Sequence, residues 1–283
     1  MRAGPMPRTN WVEVSVFALI LGGAVVKSLG FALTLSRTLF VDALTCAASV
    51  VAGYFFMRAS IEAKNPPDAD HPYGHGRLLI WSALLTLITY SFVAGIAVAG
   101  LIYWGSSEEL INPLAAYTAT AGMALYSGAV YLARRVEHAG SSLAYFSSSE
   151  IIESIITLIA VALGSTISPL YDFGGGIVLT AFLIYGLVRE ARELAPYVVD
   201  YAPPELVKEI EKTARGIGLE VSDVKVRAFL KGRYRGEVVV KVPKGADLRR
   251  AHELADKLVK ELERRGVCIS VHYEPSDRDS QFN

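Results

Sequence analysis

The sequence predicts an α-helical membrane protein in which six transmembrane helices precede a small cytoplasmic α+β domain. Hydrophobic residues make up 52% of the chain, and its mean hydropathy is +0.35, which is too apolar for an ordinary soluble protein. Long apolar segments recur through the first two hundred positions. After Asp200, Lys, Arg and Glu become frequent, and this change of composition indicates a domain boundary.

Six apolar segments each have about the 20 residues needed to cross a hydrocarbon core of about 30 Å. They cover residues 11–29, 39–59, 78–104, 113–132, 143–165 and 167–188. We refer to them as the first to sixth predicted spans.

Basic residues in the short connecting segments predict the orientation, because they favour the cytoplasmic side of a membrane. One side carries Arg2, Arg8, Arg58, Lys64, Arg77, Arg134, Arg135, Arg189 and Arg192. The other side offers Lys27 and Arg37, and its segment 105–112 is acidic. We therefore expect both termini in the cytoplasm, as an even number of spans requires. Without a targeting signal, the plasma membrane is the expected location.

The chain after Asp200 predicts a small domain with the element order α-β-β-α-β. A first helix is expected to open at Pro203-Pro204-Glu205 and to run to about Arg215, and a second to cover 248–265. Strands are expected at 221–230, 236–242 and 267–273. This order suits an open sheet with both helices on one face, as in ferredoxin-like or metallochaperone-like folds. We therefore divide the chain into a transmembrane domain, residues 1–199, and a cytoplasmic domain, residues 200–283.

Composition and motifs argue against several classes of function. The formal net charge is zero, so the whole chain shows no attraction to nucleic acid. Cys46 lies in an apolar span and Cys268 near the C-terminus, so the two cysteines do not staple the fold. The sequence contains no nucleophile motif, glycine-rich phosphate loop or HExxH motif. We expect neither an enzyme nor an organic cofactor.

Ionisable residues inside the predicted spans are the first candidates for a functional site, because each costs about 2.5 to 3.5 kcal/mol to insert. Asp42 and Cys46 lie four residues apart on the second span, and Glu150 and Glu153 lie three apart on the fifth. Each pair therefore shares one helix face. If these two spans pack together, two or three carboxylates and a thiolate surround a divalent cation.

Each of these residues also has a structural interpretation. Asp42 and Glu150 can be hydrogen-bonded within the bundle, and a buried cysteine such as Cys46 often behaves as a small hydrophobic residue. Glu153 can equally pack between helices or act as a gate. Lys27, near the end of the first span, is expected to extend its ammonium group to the membrane interface.

The segment between the second and third spans holds a second group of possible metal ligands. Residues 68–77 read Asp-Ala-Asp-His-Pro-Tyr-Gly-His-Gly-Arg. Asp68, His71 and His75 offer nitrogen and oxygen ligands on a tightly folded backbone, which suits zinc or a similar ion. In the alternative interpretation, both histidines order the loop by hydrogen bonding.

A third group lies in the C-terminal domain. Cys268, Ser270, His272 and Glu274 share one face of the last predicted strand by its period of two. His252, on the preceding helix, could approach that face. The alternative is a polar strand face in contact with water.

In this setting the segment His71-Pro-Tyr-Gly-His-Gly-Arg77 resembles the cation diffusion facilitator family, and the resemblance covers nearly the whole chain. Further matching pieces are Asp172, Val198-Val-Asp200, Ala251-His-Glu253 and Val271-His-Tyr-Glu-Pro275. Members of that family export Zn²⁺, and in some branches Mn²⁺, Fe²⁺, Co²⁺ or Cd²⁺, usually in exchange for protons, and they work as homodimers. The resemblance therefore implies a divalent metal efflux transporter, with Zn²⁺ as the favoured substrate and possible regulator.

The resemblance also implies where the transported ion binds. The family pattern places two ligands four residues apart on span two and two on span five. Asp42 matches the first position and Glu150 the last. Cys46 stands where an Asp is expected and Phe146 where a His is expected, so Glu153 becomes a candidate to complete the shell.

Outside the transmembrane spans, the resemblance implies a peripheral metal site and a metal-sensing, dimerising C-terminal domain. Asp68, His71 and His75 match the peripheral site, and His252, His272 and Glu274 match ligands of the C-terminal domain. Lys241 and Val224 stand where other histidines are common. The family also pairs the basic residue that ends the loop motif with an Asp at the domain junction, here Arg77 and Asp200. The competing interpretation is a non-transporting metal sensor or partner subunit.

Overall fold

A computed structural model describes residues 11–134, 143–243 and 247–276. The chain divides into two compact units. The first unit consists of Met1–Glu62 and Trp81–Glu190, and the second of Ala63–Ile80 and Ala191–Asn283. The segment 63–80 thus belongs to the same unit as the C-terminal part of the chain.

Six long helices occupy the part of the chain where the apolar segments predict spans. They are α1 Trp11–Thr34, α2 Arg37–Glu62, α3 Leu78–Trp104, α4 Leu114–Arg134, α5 Leu143–Thr166 and α6 Pro169–Val198. Within the described residues, four of them are long and apolar enough to cross a membrane by length and composition: α1, α2, α3 and α6. α4 is less apolar than these four, because it is rich in Ala, Gly and Thr.

The helices of the first unit are placed by close contacts. α1 packs against α2 and α4, α5 packs against α4, and α2 meets α5. Gly175 of α6 illustrates how close these approaches are, because a Cβ atom there would clash with Ala160 of α5 and Thr38 of α2. The contact between α2 and α5 is the feature that brings the predicted ligands of spans two and five to one place.

The N-terminus of α2 is fixed by side chains from inside and outside the helix. Ser36 Oγ accepts a hydrogen bond from the Leu39 backbone N–H at 3.1 Å, as an N-cap residue does. The buried Asp172 of α6 accepts from the Arg37 N–H at 2.6 Å and the Thr38 N–H at 3.3 Å. These bonds satisfy N–H groups that a helix cannot pair internally.

The C-terminal part of the second unit has the predicted order α-β-β-α-β. Its elements are α7 Pro204–Ile217, β1 Glu220–Leu230, β2 Arg233–Pro243, α8 Leu248–Glu263 and β3 Val267–Ser276. β2 lies in the centre of the sheet, antiparallel to β1 and parallel to β3. Ile210 of α7, Leu258 of α8 and Val238 of β2 are fully buried in a core that both helices share with the sheet.

Several strand boundaries differ from the prediction, among them the start of β2. The turn between β1 and β2 is short, with Gly232 at φ 70°, and β2 therefore begins at Arg233 instead of residue 236. A left-handed glycine permits such a tight reversal, so the sheet is longer than the hydrophobic pattern alone indicates.

Candidate metal site

Asp42 and Cys46 lie on the buried face of α2. They are four residues apart, and Ser49 follows three residues later on the same face. All three side chains are buried. Because one helical turn separates each pair, the three groups form a polar line along an otherwise apolar helix.

Glu150 of α5 completes this line from the opposite helix. The Cys46 thiol donates to Glu150 Oε2 at 3.3 Å and lies 3.7 Å from Asp42 Oδ1. The Ser49 hydroxyl contacts Glu150 Oε1 and lies 2.6 Å from the Tyr90 hydroxyl of α3. One ligand atom from each of Asp42, Cys46 and Glu150 lies within 4.8 Å of the others. We call these three residues the Asp42 cluster.

The Asp42 cluster has the chemistry of a cation site. Two carboxylates and a thiol are buried together, an arrangement that is costly unless cations or hydrogen bonds compensate it. Asp42 Oδ2 is buried and has no hydrogen-bond partner among the described residues. A divalent ion at this place would satisfy that oxygen.

Glu153 is also buried, one turn further along α5. Its Oε2 atom has no partner within the described part of the chain. The Asp42 cluster forms without Glu153, so the structure brings three of the four predicted ligands together. The side chain of Phe146, which stands at the expected histidine position, lies outside the described residues.

The position of the Lys27 ammonium group differs from the one expected from the sequence. Its ammonium group does not extend to an interface, because the side chain is fully buried. It forms an ion pair with Asp42 Oδ1 at 2.8 Å and donates to Ser154 Oγ of α5 at 2.7 Å. The nearby carboxylate offers the ammonium a better partner than a distant interface does, so the rule for long side chains near helix ends fails here.

The second unit contains a loop cluster, formed by Asp68, His71 and His75. His71 Nδ1 lies 3.4 Å from Asp68 Oδ1, and His75 Nε2 lies 3.3 Å from Asp68 Oδ2. The two imidazole rings are 4.3 Å apart between centroids. The left-handed Gly74, at φ 80°, allows the chain to fold back between them.

The charge of Asp68 favours cation binding. Its carboxylate accepts the His71 backbone N–H at 2.7 Å. This hydrogen bond, with smaller contributions from the two histidines, lowers the pKa of Asp68 below its ordinary value. Asp68 therefore stays ionised over a wider pH range than a free aspartate, and its negative charge is lost only as the pH falls through that lowered pKa.

The loop cluster is attached to the C-terminal part of the second unit. The Arg235 guanidinium of β2 lies 5.2 Å from the Tyr73 ring and 4.2 Å from the Phe229 ring of β1. Gly76 lies beside Leu230, where a Cβ atom would approach the leucine to 3.0 Å. The loop that carries the two histidines therefore packs against the β1–β2 hairpin.

The predicted ligands of the C-terminal domain remain separate. His272 and Glu274 are exposed on β3, and His252 is exposed on α8, 3.9 Å from Asp256. Among the described residues, these three do not join a group of three potential ligands within reach of one ion.

The expected pair of Arg77 and Asp200 is also not brought together. Arg77 donates to the Tyr197 carbonyl at 3.2 Å. Asp200, at φ 55°, forms an ion pair with Arg227 of β1 at 2.9 Å. Arg227 of β1 therefore pairs with the Asp200 carboxylate in place of Arg77. In the described residues, both partners of the predicted pair therefore bond elsewhere.

The sequence did not assign Lys27, Ser49, Ser154 or Tyr90 to this site. A signal existed for Ser49, which lies seven residues after Asp42 and hence on the same face of α2. A signal also existed for Lys27, which is a charge within an apolar segment. Ser154 and Tyr90 carry no such signal, because their role depends on which helices pack together.

Comparison with known proteins gives consistent matches. The family model for the cation efflux transmembrane domain matches residues 14–197. The manganese efflux system protein MneS of Bacillus subtilis (strain 168) is 25% identical over 283 residues, which covers 94% of each chain. The metal tolerance protein C1 of Arabidopsis thaliana is 26% identical, with 90% of this chain and 60% of the relative covered. A solved chain from a study of CzrB, a proposed zinc transporter, is 32% identical over 27% of this chain and 99% of its own, with a TM-score of 0.24.

Proposed function

Because this chain belongs to the cation diffusion facilitator family, whose cation efflux domain it carries, we propose that it exports a divalent metal ion and binds that ion at the Asp42 cluster. The observation that carries this proposal is the convergence of Asp42, Cys46 and Glu150 within 4.8 Å. Their donors are an acidic pair and a sulfur atom, and Asp42 Oδ2 is buried with no hydrogen-bond partner among the described residues. Such a set suits a divalent cation.

The choice of ion follows from the ligand types. Carboxylate oxygens suit Mn²⁺ and Fe²⁺, whereas a thiolate favours softer ions such as Zn²⁺ and Cd²⁺. The family resemblance favours Zn²⁺, and the relative MneS is named for manganese. Cys46, in the place of an expected Asp, adds a preference for the softer ions, with Co²⁺ between the two groups.

Proton exchange fits the same ligands. Asp42 and Glu150 must be deprotonated to hold a cation, so protons and metal compete for the same oxygens. Alternating exposure of the site to the two sides then couples metal release to proton uptake. We further propose that the chain has six spans, that both termini lie in the cytoplasm, and that it works as a homodimer in the plasma membrane. Residues 1–199 would form the transport domain and residues 200–283 the sensing domain.

The other predicted sites take a regulatory part in the proposal. The loop cluster of Asp68, His71 and His75 offers a peripheral cation site beside the β1–β2 hairpin. His252, His272 and Glu274 would sense metal together with a second copy of the chain, because among the described residues of one chain they form no group of three ligands within reach of one ion.

Metal flux into proteoliposomes tests the proposal. We expect wild-type protein to transport at least one of Zn²⁺, Mn²⁺, Fe²⁺, Co²⁺ and Cd²⁺, and we expect Asp42→Asn and Glu150→Gln each to lower that flux by about 100-fold or more, because each removes a charged ligand. Glu62→Gln is the matched control, since Glu62 ends the same helix as Asp42 and pairs with Arg58 at the surface. Full flux in both site variants would contradict the proposal.

A specific observation favours a second candidate, a non-transporting metal sensor. The Lys27 ammonium group pairs with one Asp42 oxygen. If this ion pair were permanent, it would block the binding of a metal ion at the site. In that case metal would drive dimerisation through the loop cluster and the C-terminal domain, and wild-type proteoliposomes would show no flux of any of the five ions.

A further inference from the structure

The Lys27 ammonium group lies where four helices meet. It contacts Asp42 of α2 at 2.8 Å and Ser154 of α5 at 2.7 Å, and it lies 5.0 Å from the centre of the Tyr126 ring of α4. Lys27 itself belongs to α1. A cation is therefore already present beside the Asp42 cluster, and it is part of the chain.

The neighbouring residues provide room for this lysine. Gly122 of α4 lies against its aliphatic stem, where a Cβ atom would approach Lys27 Cγ to 2.7 Å. Tyr126 follows one turn later on α4 and presents its ring to the ammonium group. A side chain at position 122 would displace the stem, so the glycine there leaves the room that the extended lysine occupies.

Lys27 uses only one oxygen of Asp42. Asp42 Oδ1 accepts the ammonium, whereas Oδ2 is buried without a partner in the described residues. A metal ion bound by the Asp42 cluster would bind the same carboxylate that the ammonium pairs with. Like charges a few ångströms apart in a buried site repel strongly, so Lys27 must oppose the binding of a divalent ion.

We propose that Lys27 is a resident counter-cation that competes with the transported metal for Asp42. In the empty site it neutralises the carboxylate and keeps α1, α2 and α5 together. In the loaded site its charge weakens metal binding and promotes release. Lys27 is thus a positioning residue that sets the affinity for the metal, an inference that rests on the proposed function.

The contacts allow this exchange to occur without stranding the lysine. When the metal takes Asp42, the ammonium keeps Ser154 Oγ and the Tyr126 ring as partners. A hydroxyl oxygen and an aromatic face both stabilise a cation. The same two partners hold the lysine close enough to return to Asp42 when the metal leaves.

Isothermal titration of the detergent-purified full chain tests the proposal. The parent protein carries His71→Ala and His75→Ala, so that the loop cluster does not contribute, and Mn²⁺ and Cd²⁺ are titrated in parallel at one fixed pH. We expect Lys27→Met to tighten the Kd on the order of ten-fold or more, because a repulsive charge is removed. Lys27→Arg keeps the charge and should keep the weak affinity. Lys208→Met, an exposed change of the same charge, should leave the Kd unaltered.

Thermal melting provides a second readout, since Lys27→Met leaves Asp42 buried and unpaired. We expect a lower Tm than that of the parent without metal, and a larger rise of Tm on adding Mn²⁺. The double variant Lys27→Met/Asp42→Asn should recover the metal-free Tm and lose the metal response. If Lys27→Met can be purified in folded form only when metal is present, that result would also support the replacement of the lysine by a metal ion at Asp42.

The outcomes separate this inference from the proposed function. If the parent binds metal, Asp42→Asn abolishes that binding, and Lys27→Met binds no tighter than Lys27→Arg, the role of Lys27 is overturned while the transport site stands. If the parent binds neither ion, or binds both equally well after Asp42→Asn, the proposed function fails and the inference fails with it.

Discussion

At the scale of single residues, a buried charge is tolerated only where its partners are in place. Breaking a buried ion pair by removing one partner costs about 3–5 kcal/mol. Lys27 and Asp42 form such a pair, and both side chains are fully buried. The pair therefore commits α1 and α2 to one arrangement and leaves the second Asp42 oxygen available to an ion.

Cys46 should set the choice between soft and hard ions. We expect Cys46→Ser to weaken Cd²⁺ and Zn²⁺ binding by about ten-fold or more relative to Mn²⁺, because a thiolate favours softer ions. The ratio of the Kd values, measured by competition on purified protein, is the readout. Cys268→Ser is the matched control, since it removes the exposed cysteine and leaves the buried one. An equal loss for all three ions in Cys46→Ser would show that the sulfur does not set the preference for soft ions.

The residue scale also shows what the sequence could predict about the site. Asp42, Cys46 and Glu150 were predictable because burying a polar group in an apolar helix costs free energy, and such a group is therefore a candidate for function. Lys27 met the same criterion, but the tendency of long side chains to reach an interface suggested a different place for its ammonium. Its actual partner, Asp42, lies on another helix, and helix periodicity alone gives no distance between helices.

At the scale of secondary-structure elements, Asp172 fixes the start of α2, five residues before Asp42. It lies in the first turn of α6 and accepts from two backbone N–H groups of α2 and from Ser36 Oγ. A charged acceptor shared by several donors is among the stronger hydrogen-bonding arrangements. The position of the Asp42 cluster along α2 thus depends on a contact with α6.

Replacing Asp172 should therefore destabilise the helix bundle. We expect Asp172→Ala to lower the free energy of unfolding by about 2 kcal/mol or more, because it leaves buried donors without an acceptor. Thermal melting in detergent measures the change as a lower Tm. Asp223→Ala is the control, since Asp223 is an exposed residue of β1 paired with Lys225, and such surface pairs contribute about 0–1 kcal/mol. Equal Tm values for the two variants would refute the capping role.

The elements themselves were largely predictable from the hydrophobic pattern. The apolar segments correspond to α1 through α6, and α3 was predicted with its observed bounds. The ends of the others differ, because caps and turns determine where a helix ends. The N-terminus of α2 is an example, where Ser36 and Asp172 supply the cap.

At the scale of the whole molecule, the part of the chain that the structure describes holds two clusters of ligand atoms, one in each compact unit. The Asp42 cluster is buried in the first unit, and the loop cluster of Asp68, His71 and His75 is partly exposed in the second. The loop cluster could be predicted from the ten adjacent residues 68–77 with the sequence DADHPYGHGR. Residues 252, 272 and 274 share no such local segment, and within the described residues they form no group of three ligands within reach of one ion.

The central claim is that one divalent ion is bound between α2 and α5 by Asp42, Cys46 and Glu150. An anomalous difference map from crystals grown with Cd²⁺ tests it most directly. We expect a peak at roughly 2.3–2.6 Å from a carboxylate oxygen of Asp42 and of Glu150, with Cys46 Sγ beside it. Peaks at the loop cluster alone, with the Asp42 cluster empty at saturating Cd²⁺, would contradict it.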